Sequence, residues 1–370
     1  MVPRIGVNAL YLIPGGVGGT EIYLRSLLAA LARVDTTSQY VIYVNRETGT
    51  DLTPTASNFL TVPLPVKAVN RPLRILYEQL ALPGRVRRDR IDVLLNPGFT
   101  APILPPCPQV TVIHDLQHKR HPEYFRWFDL PFWRLLVWAA VHRSNRLIAV
   151  SEATKSDLLA FYRVPEDKIT VVEHGVDDRF FEIARQRGPV EPFLLCVSTL
   201  HPHKNIERLV RVFARVAAAR PELRLVLAGM KGFHTGPVET LVESLGIADR
   251  VELTGWIPRE QLYDYFRRAA GFVYPSTFEG FGMPVVEALA ADVPLACSDI
   301  EPLRGIVRGA AWLFNPEDED AMQAAIEKML NGEEPGSPNP ARDYSWTTAA
   351  QATLRALRSA AAASSPPLSG

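Results

Sequence analysis

Residues 271–291 read GFVYPSTFEGFGMPVVEALAA. Gly271 to Tyr274 is a short apolar run, Ser276 to Gly282 a loop with two glycines, and Pro284 to Ala291 a helical stretch with proline in its first turn. Strand, glycine loop and helix in this order form half of a βαβ unit. The same alternation continues outward on both sides. Phe193–Val197, Arg224–Ala228, Val251–Leu253 and Leu295–Cys297 read as strands, and Ile206–Arg220, Pro237–Leu245, Arg259–Ala269 and Glu319–Leu330 as helices. Nearer the N-terminus, Ile5–Leu12, Tyr40–Val44, Val93–Leu95, Val110–Ile113, Leu147–Val150 and Thr170–Val172 read as strands, and Glu21–Arg33 as an amphipathic helix. Continuous apolar strands separated by helices imply parallel sheets covered on both faces. Polar residues 178–192 interrupt the rhythm, which predicts two doubly wound α/β domains, 1–185 and 186–344. After a Gly, Pro and Asn-rich loop at 331–340, Ser345–Leu357 resumes a helix with Ser345 as its N-cap. Residues 359–370, rich in Ala, Ser and Pro, are expected to be disordered.

Composition bounds the function. The chain has 370 residues, 47% hydrophobic and 22% charged, enough for two ordinary cores. Forty basic residues balance forty acidic ones, which argues against a protein that coats nucleic acid. Cys107, Cys196 and Cys297 form no disulfide framework and fit a reducing compartment as small buried hydrophobes. The N-terminal apolar run is short and ends in Pro and Gly, so it reads as a strand and not as a signal peptide. Leu135–Val141, flanked by Arg134 and His142, falls far short of the ~20 residues of a membrane span.

Four segments carry candidate chemistry. Gly15-Gly16-Val17-Gly18-Gly19-Thr20-Glu21 joins a strand to a helix. Glycines permit close backbone approach, and a helix N-terminus offers N–H groups to an anion, so the loop is either a phosphate contact or a plain tight turn. His114-Asp115 ends the Val110–Ile113 strand, where open parallel sheets bind ligands; a capping Asp beside a backbone-bonded histidine fits the position equally. His203-Lys204-Asn205 precedes a helix: Lys204 can neutralise a diphosphate or sit in solvent, and Asn205 can cap the helix. In the opening stretch, Glu279 in the loop and Glu287 in the helix, seven residues between them, can grip different hydroxyls of one ligand. Gly280 and Gly282 let backbone N–H groups meet phosphate oxygens. A dipole-favoured carboxylate explains Glu287 alone, but not the glycine spacing around Glu279. Asp318-Glu319-Asp320 has acidic spacing suited to a metal, yet it follows Pro316 at a helix start and reads as a cap, so no metal is expected.

Together these segments resemble retaining glycosyltransferase family 4, of the two-domain GT-B fold, over nearly the whole chain. The matching residues are Gly15–Glu21, His114-Asp115, Val150–Thr154, His174–Asp177, Lys204-Asn205, and Glu279–Glu287, the last being similar to the family's E-x7-E motif. Tyr344-Ser345-Trp346 looks closest to bacterial O-antigen mannosyltransferases. The resemblance implies two Rossmann-like domains facing a central cleft, with residues 345–358 packing back on the first. It implies that Glu287 holds the ribose, Glu279 the transferred sugar, and Lys204 the diphosphate. Asn205 and the 281–283 segment (Phe281, Gly282 and Met283) would complete the donor site, His114 would lie near the sugar, and Gly18-Gly19 near the diphosphate and acceptor. No cofactor or metal is implied. GDP-mannose is the expected donor, and a glycan or lipid-linked saccharide the acceptor. The family often has Arg where this chain has His203, so anion binding is expected to be pH-sensitive.

The acceptor side is written less clearly. Arg71, Arg74, Arg85, Arg87, Arg88 and Arg90 flank Leu73, Ile75, Leu76, Leu80 and Leu82; Trp127, Phe128, Phe132, Trp133 and Trp138 lie near Arg126, Arg134 and Arg143. These are either amphipathic helices with most aromatics buried, the favoured reading, or a basic-aromatic surface for anionic lipid. A cytoplasmic protein, peripheral on the inner face of the membrane, is the expectation. A nucleotide-sugar epimerase and a non-catalytic donor-binding subunit are the alternatives on the same fold.

Overall fold

A computed structural model of the chain describes residues 2–16, 18–230, 232 and 235–363. The chain divides into two compact units, Met1–Gly175 with Ser345–Gly370, and Val176–Tyr344. In the first unit the order is β1 (Arg4–Ala9), α1 (Gly19–Val34), β2 (Gln39–Val44), β3 (Phe59–Pro63), α2 (Arg71–Leu80), α3 (Leu82–Arg88), β4 (Val93–Asn96), β5 (Gln109–Ile113), α4 (Gln117–Arg120), α5 (Leu130–Arg143), β6 (Arg146–Ala149), α6 (Glu152–Tyr162) and β7 (Ile169–Val171). In the second it is α7 (Asp178–Arg185), β8 (Glu191–Val197), α8 (Ile206–Ala218), β9 (Arg224–Ala228), α9 (Thr235–Ser244), β10 (Val251–Gly255), α10 (Arg259–Arg268), β11 (Ala269–Tyr274), α11 (Met283–Ala290), β12 (Leu295–Ser298), α12 (Leu303–Val307), β13 (Trp312–Phe314) and α13 (Glu319–Leu330). Helix α14 (Trp346–Ala362) then rejoins the first unit, packing against α1.

The first sheet has seven strands in the order β3-β2-β1-β4-β5-β6-β7, and the second six in the order β10-β9-β8-β11-β12-β13. Every pairing is parallel. Burial on both faces accounts for the continuous apolar strands: Val93, Leu94 and Leu95 of β4 are fully buried, as are Leu194 and Leu195 of β8. Helices α1 and α8 bury one apolar stripe each. Leu24, Leu27, Leu28 and Leu31 do so on α1; Leu209, Val210, Phe213 and Val216 do so on α8, against Ile326 and Met329 of α13. Side-chain caps fix several starts: Asn70 accepts from the Leu73 N–H, Ser151 from Thr154, and Ser345 from Thr347. The Asp318 carboxylate accepts from the N–H groups of Asp320 and Ala321, which is the capping role its sequence position suggested.

Several expectations need correction. Strand β1 ends at Ala9, not Leu12. The polar stretch after Asp177 is no linker: Asp177 caps α7, whose Phe180 and Ile183 are buried, and the units meet at 175/176 instead of 185/186. Charge on one face hid an amphipathic helix. Residues 359–362 continue α14, and 364–370 lie outside the described residues. The predicted burial of the aromatics also fails. Trp127 is 83% exposed, and Phe128, Phe132 and Trp138 are each about half exposed or more, with only Trp133 packed against the core. Among the described residues no helix is long and apolar enough to cross a membrane.

One contact fixes where α14 begins. A Cβ on Gly175 would lie 2.1 Å from the Trp346 backbone nitrogen. Gly175→Ala is therefore expected to cost about 2 kcal/mol by overpacking. In a unit of this size that lowers the melting temperature by roughly 5 °C. An unchanged melting temperature would show that the contact yields freely.

Candidate functional site

In an open parallel sheet, loops at neighbouring strand ends diverge where the strand order reverses, and a ligand fits there. In the second unit that point lies between β8 and β11. The loop after β8 carries His203, Lys204 and Asn205; the loop after β11 carries Glu279. Backbone and side-chain bonds tie the two loops together. The Thr277 N–H donates to the His203 carbonyl at 2.8 Å, and the Asn205 amide donates to the carbonyls of Pro275 at 3.1 Å and Pro316 at 2.8 Å. Asn205 stands at the start of α8 in a left-handed conformation and makes no side-chain cap, so its role is to brace the loops and not to cap the helix.

The brace brings Lys204 and Glu279 together. The ammonium lies 2.5 Å from the Glu279 carboxylate and 3.1 Å from the Tyr274 hydroxyl, with both charged groups largely buried. Burial pushes the Glu279 pKa up, but Lys204, aided by His203, prevails and holds it below the usual carboxylate range. Burial, then the Glu279 charge, lifts the Tyr274 phenol well above its ordinary value. The His203 ring stacks on His201.

Glu279 leads into the amino end of α11. Gly282 holds φ at +121°, and a Cβ there would lie 2.5 Å from Leu303, so glycine is required. Its carbonyl accepts from the Val285 N–H, opening the helix, while the buried Phe281 ring packs edge-on against Tyr344. With these side chains turned inward or absent, the backbone of Phe281, Gly282 and Met283 forms the helix entrance, a setting suited to anions. One turn on, Glu287 is not brought to Lys204. It pairs with Arg259 at 2.9 Å, at the start of α10. Burial raises the Glu287 pKa, and Arg259 only partly offsets that. The Arg259 guanidinium also lies over the rings of Phe180 and Tyr263, and the Tyr263 hydroxyl donates to Asp177.

Arg259, Tyr263, Tyr274 and Asp177 were given no role by sequence reasoning. Arg259 had a usable signal, a basic residue at a helix start just past the carboxyl end of a strand. Tyr274 and Tyr263 had none, because their partners come from distant segments.

In the first unit, His114 directly follows β5 and is buried. Its Nε2 lies 2.8 Å from the Pro97 carbonyl, so that nitrogen donates, and burial lowers its pKa to about 4. The ring meets the Tyr23 ring of α1 edge-on, with centroids 4.8 Å apart. Gly18, at φ +57°, precedes α1, and its carbonyl accepts from the Glu21 N–H. Glu21 takes the Gly15 N–H at 2.8 Å and pairs with Arg25. Val17 lies outside the described residues. Among the described residues no group of three or more His, Cys, Asp or Glu is arranged to hold a metal ion.

Comparison with known proteins follows the same division. The profile of Glycosyltransferase Family 4 matches residues 17–180, and that of Glycosyl transferases group 1 matches residues 179–344. O-antigen chain mannosyltransferase B of Escherichia coli is 25% identical over 269 residues, 67% of this chain and 70% of that protein. The O-antigen chain mannosyltransferase RfbU of Salmonella typhimurium is 27% identical over 221 residues, 60% of either chain. The structure of Anabaena HepE in complex with UDP and glucose superposes with a TM-score of 0.67 at 17% identity, covering 96% of this chain and 95% of that one.

The Lys204–Glu279 pair makes a direct prediction about the fold. Lys204→Met leaves a buried carboxylate without its counter-charge and is expected to destabilise the second unit by about 3 kcal/mol. Adding Glu279→Gln should recover most of that loss in denaturant unfolding. Equal stability of the single and double variants would mean that the pair is solvated.

Proposed function

The chain belongs to the glycosyltransferases, with a family 4 first half and a group 1 second half on a GT-B fold, and from that we propose that it transfers a hexosyl group with retention from a nucleotide-diphosphate sugar. The observation that carries this reading is the Lys204–Glu279 pair at the strand-order reversal, followed directly by the amino end of α11. A diphosphate needs a cation and backbone N–H groups; a sugar needs a carboxylate acceptor. Both stand here on adjoining loops.

In the proposed reaction the acceptor hydroxyl attacks the anomeric carbon on the face that the diphosphate leaves. The bond to the phosphate oxygen breaks, the new glycosidic bond forms, and the departing phosphate oxygen takes the hydroxyl proton. Lys204 and the 281–283 backbone stabilise the leaving charge, so no metal is called for. Glu279, held ionised, accepts from sugar hydroxyls and favours the developing oxocarbenium ion. Glu287 holds the ribose, and Arg259 sets the orientation and charge of its carboxylate. In the first unit, neutral His114 is tied through Nε2–H to Pro97, which leaves Nδ1 as an acceptor for a sugar hydroxyl; Gly18-Gly19 serve the diphosphate and acceptor. His203 tunes anion binding with pH.

The relatives named O-antigen chain mannosyltransferases support mannose as the transferred sugar; GDP-mannose as its donor, and a glycan or lipid-linked acceptor in polysaccharide synthesis, complete the proposal. The exposed Trp127, Phe128, Phe132 and Trp138, with exposed Arg126, Arg134 and Arg143, favour peripheral contact with an anionic membrane from the cytoplasmic side. Trp127→Ser/Phe128→Ser should cut co-sedimentation with phosphatidylglycerol vesicles several-fold, and full retention would assign these rings another use.

Calorimetric titration with a panel of nucleotide sugars tests the central claim. One donor should bind wild type and be lost in Glu287→Ala, while Lys204→Ala should bind it and turn over ~10²-fold more slowly. Binding of no donor would overturn the transferase reading. Conversion of donor without any acceptor would point to an epimerase.

A further inference from the structure

Helix α2 lies inside out. Its charged residues Arg74 and Glu78 are buried, Glu78 to 1% exposure, and the Thr100 hydroxyl donates to the Glu78 carboxylate at 2.9 Å. Its apolar stripe faces the other way. Leu73, Leu76, Tyr77 and Leu80 recur at the i, i+3, i+4, i+7 spacing of one helix face, and Leu80 is 73% exposed. A helix normally turns such a stripe to the core; here Ile75 and the charged side go in, Tyr77 is partly buried against the core, and the three leucines stay exposed.

The stripe forms one wall of a groove of about 470 Å³, whose other wall is the chain from Pro65 to Lys67. That size suits a small ligand. Its lining is mostly apolar and includes two cations, Arg46 and Lys67. The Arg46 N–H donates to the Val66 carbonyl at 2.9 Å, which sets the two cations on neighbouring strands of chain. The nearby Glu47 carboxylate is engaged by the Ala68 N–H at 2.9 Å and does not line the groove. Arg71, at the head of α2, lies 4.8 Å from the centroid of the Trp133 ring of α5.

We propose that this groove takes the hydrocarbon chain of a phosphorylated lipid, with the lipid phosphate held by Arg46 and Lys67. The proposal rests on the reading of the chain as a transferase with a lipid-linked acceptor, and it names where that acceptor's lipid is held. An extended peptide would leave its backbone N–H and C=O groups unpaired along Leu73, Leu76 and Leu80, whereas a hydrocarbon chain has none to pair. Two cations in the lining, Arg46 and Lys67, complement a phosphate at the chain's head.

The test is calorimetric titration of the full chain, without donor, using farnesyl monophosphate below its micellar range, with inorganic phosphate and farnesol as companion probes. Farnesyl monophosphate should bind wild type at least tenfold more tightly than either companion. Leu76→Trp, which fills the groove from an exposed position, and Arg46→Ala/Lys67→Ala, which removes the cations, should each weaken it about tenfold or more, the loss of one or two good contacts. Binding unchanged in Leu76→Trp, or inorganic phosphate binding as tightly as the lipid, would overturn the proposal. GDP and UDP titrated into the same variants report on the second unit. Nucleotide binding retained without farnesyl phosphate binding sinks the groove alone; chain binding retained without nucleotide binding sinks the transferase reading alone.

Discussion

Parallel strand pairing is the constraint on which the rest of this molecule depends. It sends the carboxyl ends of all strands in a sheet to one edge, so every loop that leaves a strand leaves from the same side. In the second unit that gathers Lys204 after β8, Arg259 after β10 and Glu279 after β11, residues far apart in the chain. In the first unit it places His114 after β5 on the edge from which the glycine loop leaves β1. Two-sided burial is the price, met by helices on each face, and it is why the strands are apolar without alternation.

On that edge the ionisable groups are arranged in pairs, because a lone charge out of water is too costly to keep. The two pairs in the second unit differ in outcome. Lys204 holds Glu279 below its ordinary range, so the pair stabilises the fold at neutral pH and that contribution is lost as acid brings the pH down through the lowered pKa. Glu287 is shifted upward despite Arg259, so its contribution is present when it is protonated and is lost as the pH rises through the raised pKa. The opposed signs show that Lys204 outweighs burial at Glu279, whereas Arg259 does not at Glu287.

Local signals carried well wherever a segment's partners are near in sequence. Gly282 and Pro284 at the start of α11, and Ser345 and Asp318 as caps, are all short-range features, and the structure uses each of them at a helix start. Asn205 misled because a cap and a loop brace look alike until Pro275 and Pro316, 70 and 111 residues on, are in view. Helix α7 was hidden by charge on its outer face. The aromatics of α5 and the leucines of α2 misled for a deeper reason: periodicity reveals that a helix has an apolar face, and says nothing about which way it turns.

The sequence by itself determined the fold class, the two α/β series and the residues placed at strand ends, because these follow from periodicity and local backbone chemistry, while its motifs carried the resemblance to the glycosyltransferase family. Only the tertiary structure decided that Lys204 meets Glu279, that Glu287 meets Arg259 instead, and that α2 turns its leucines outward. Those outcomes depend on which surfaces are left to pack once every strand has found its neighbours, and no single segment contains that information.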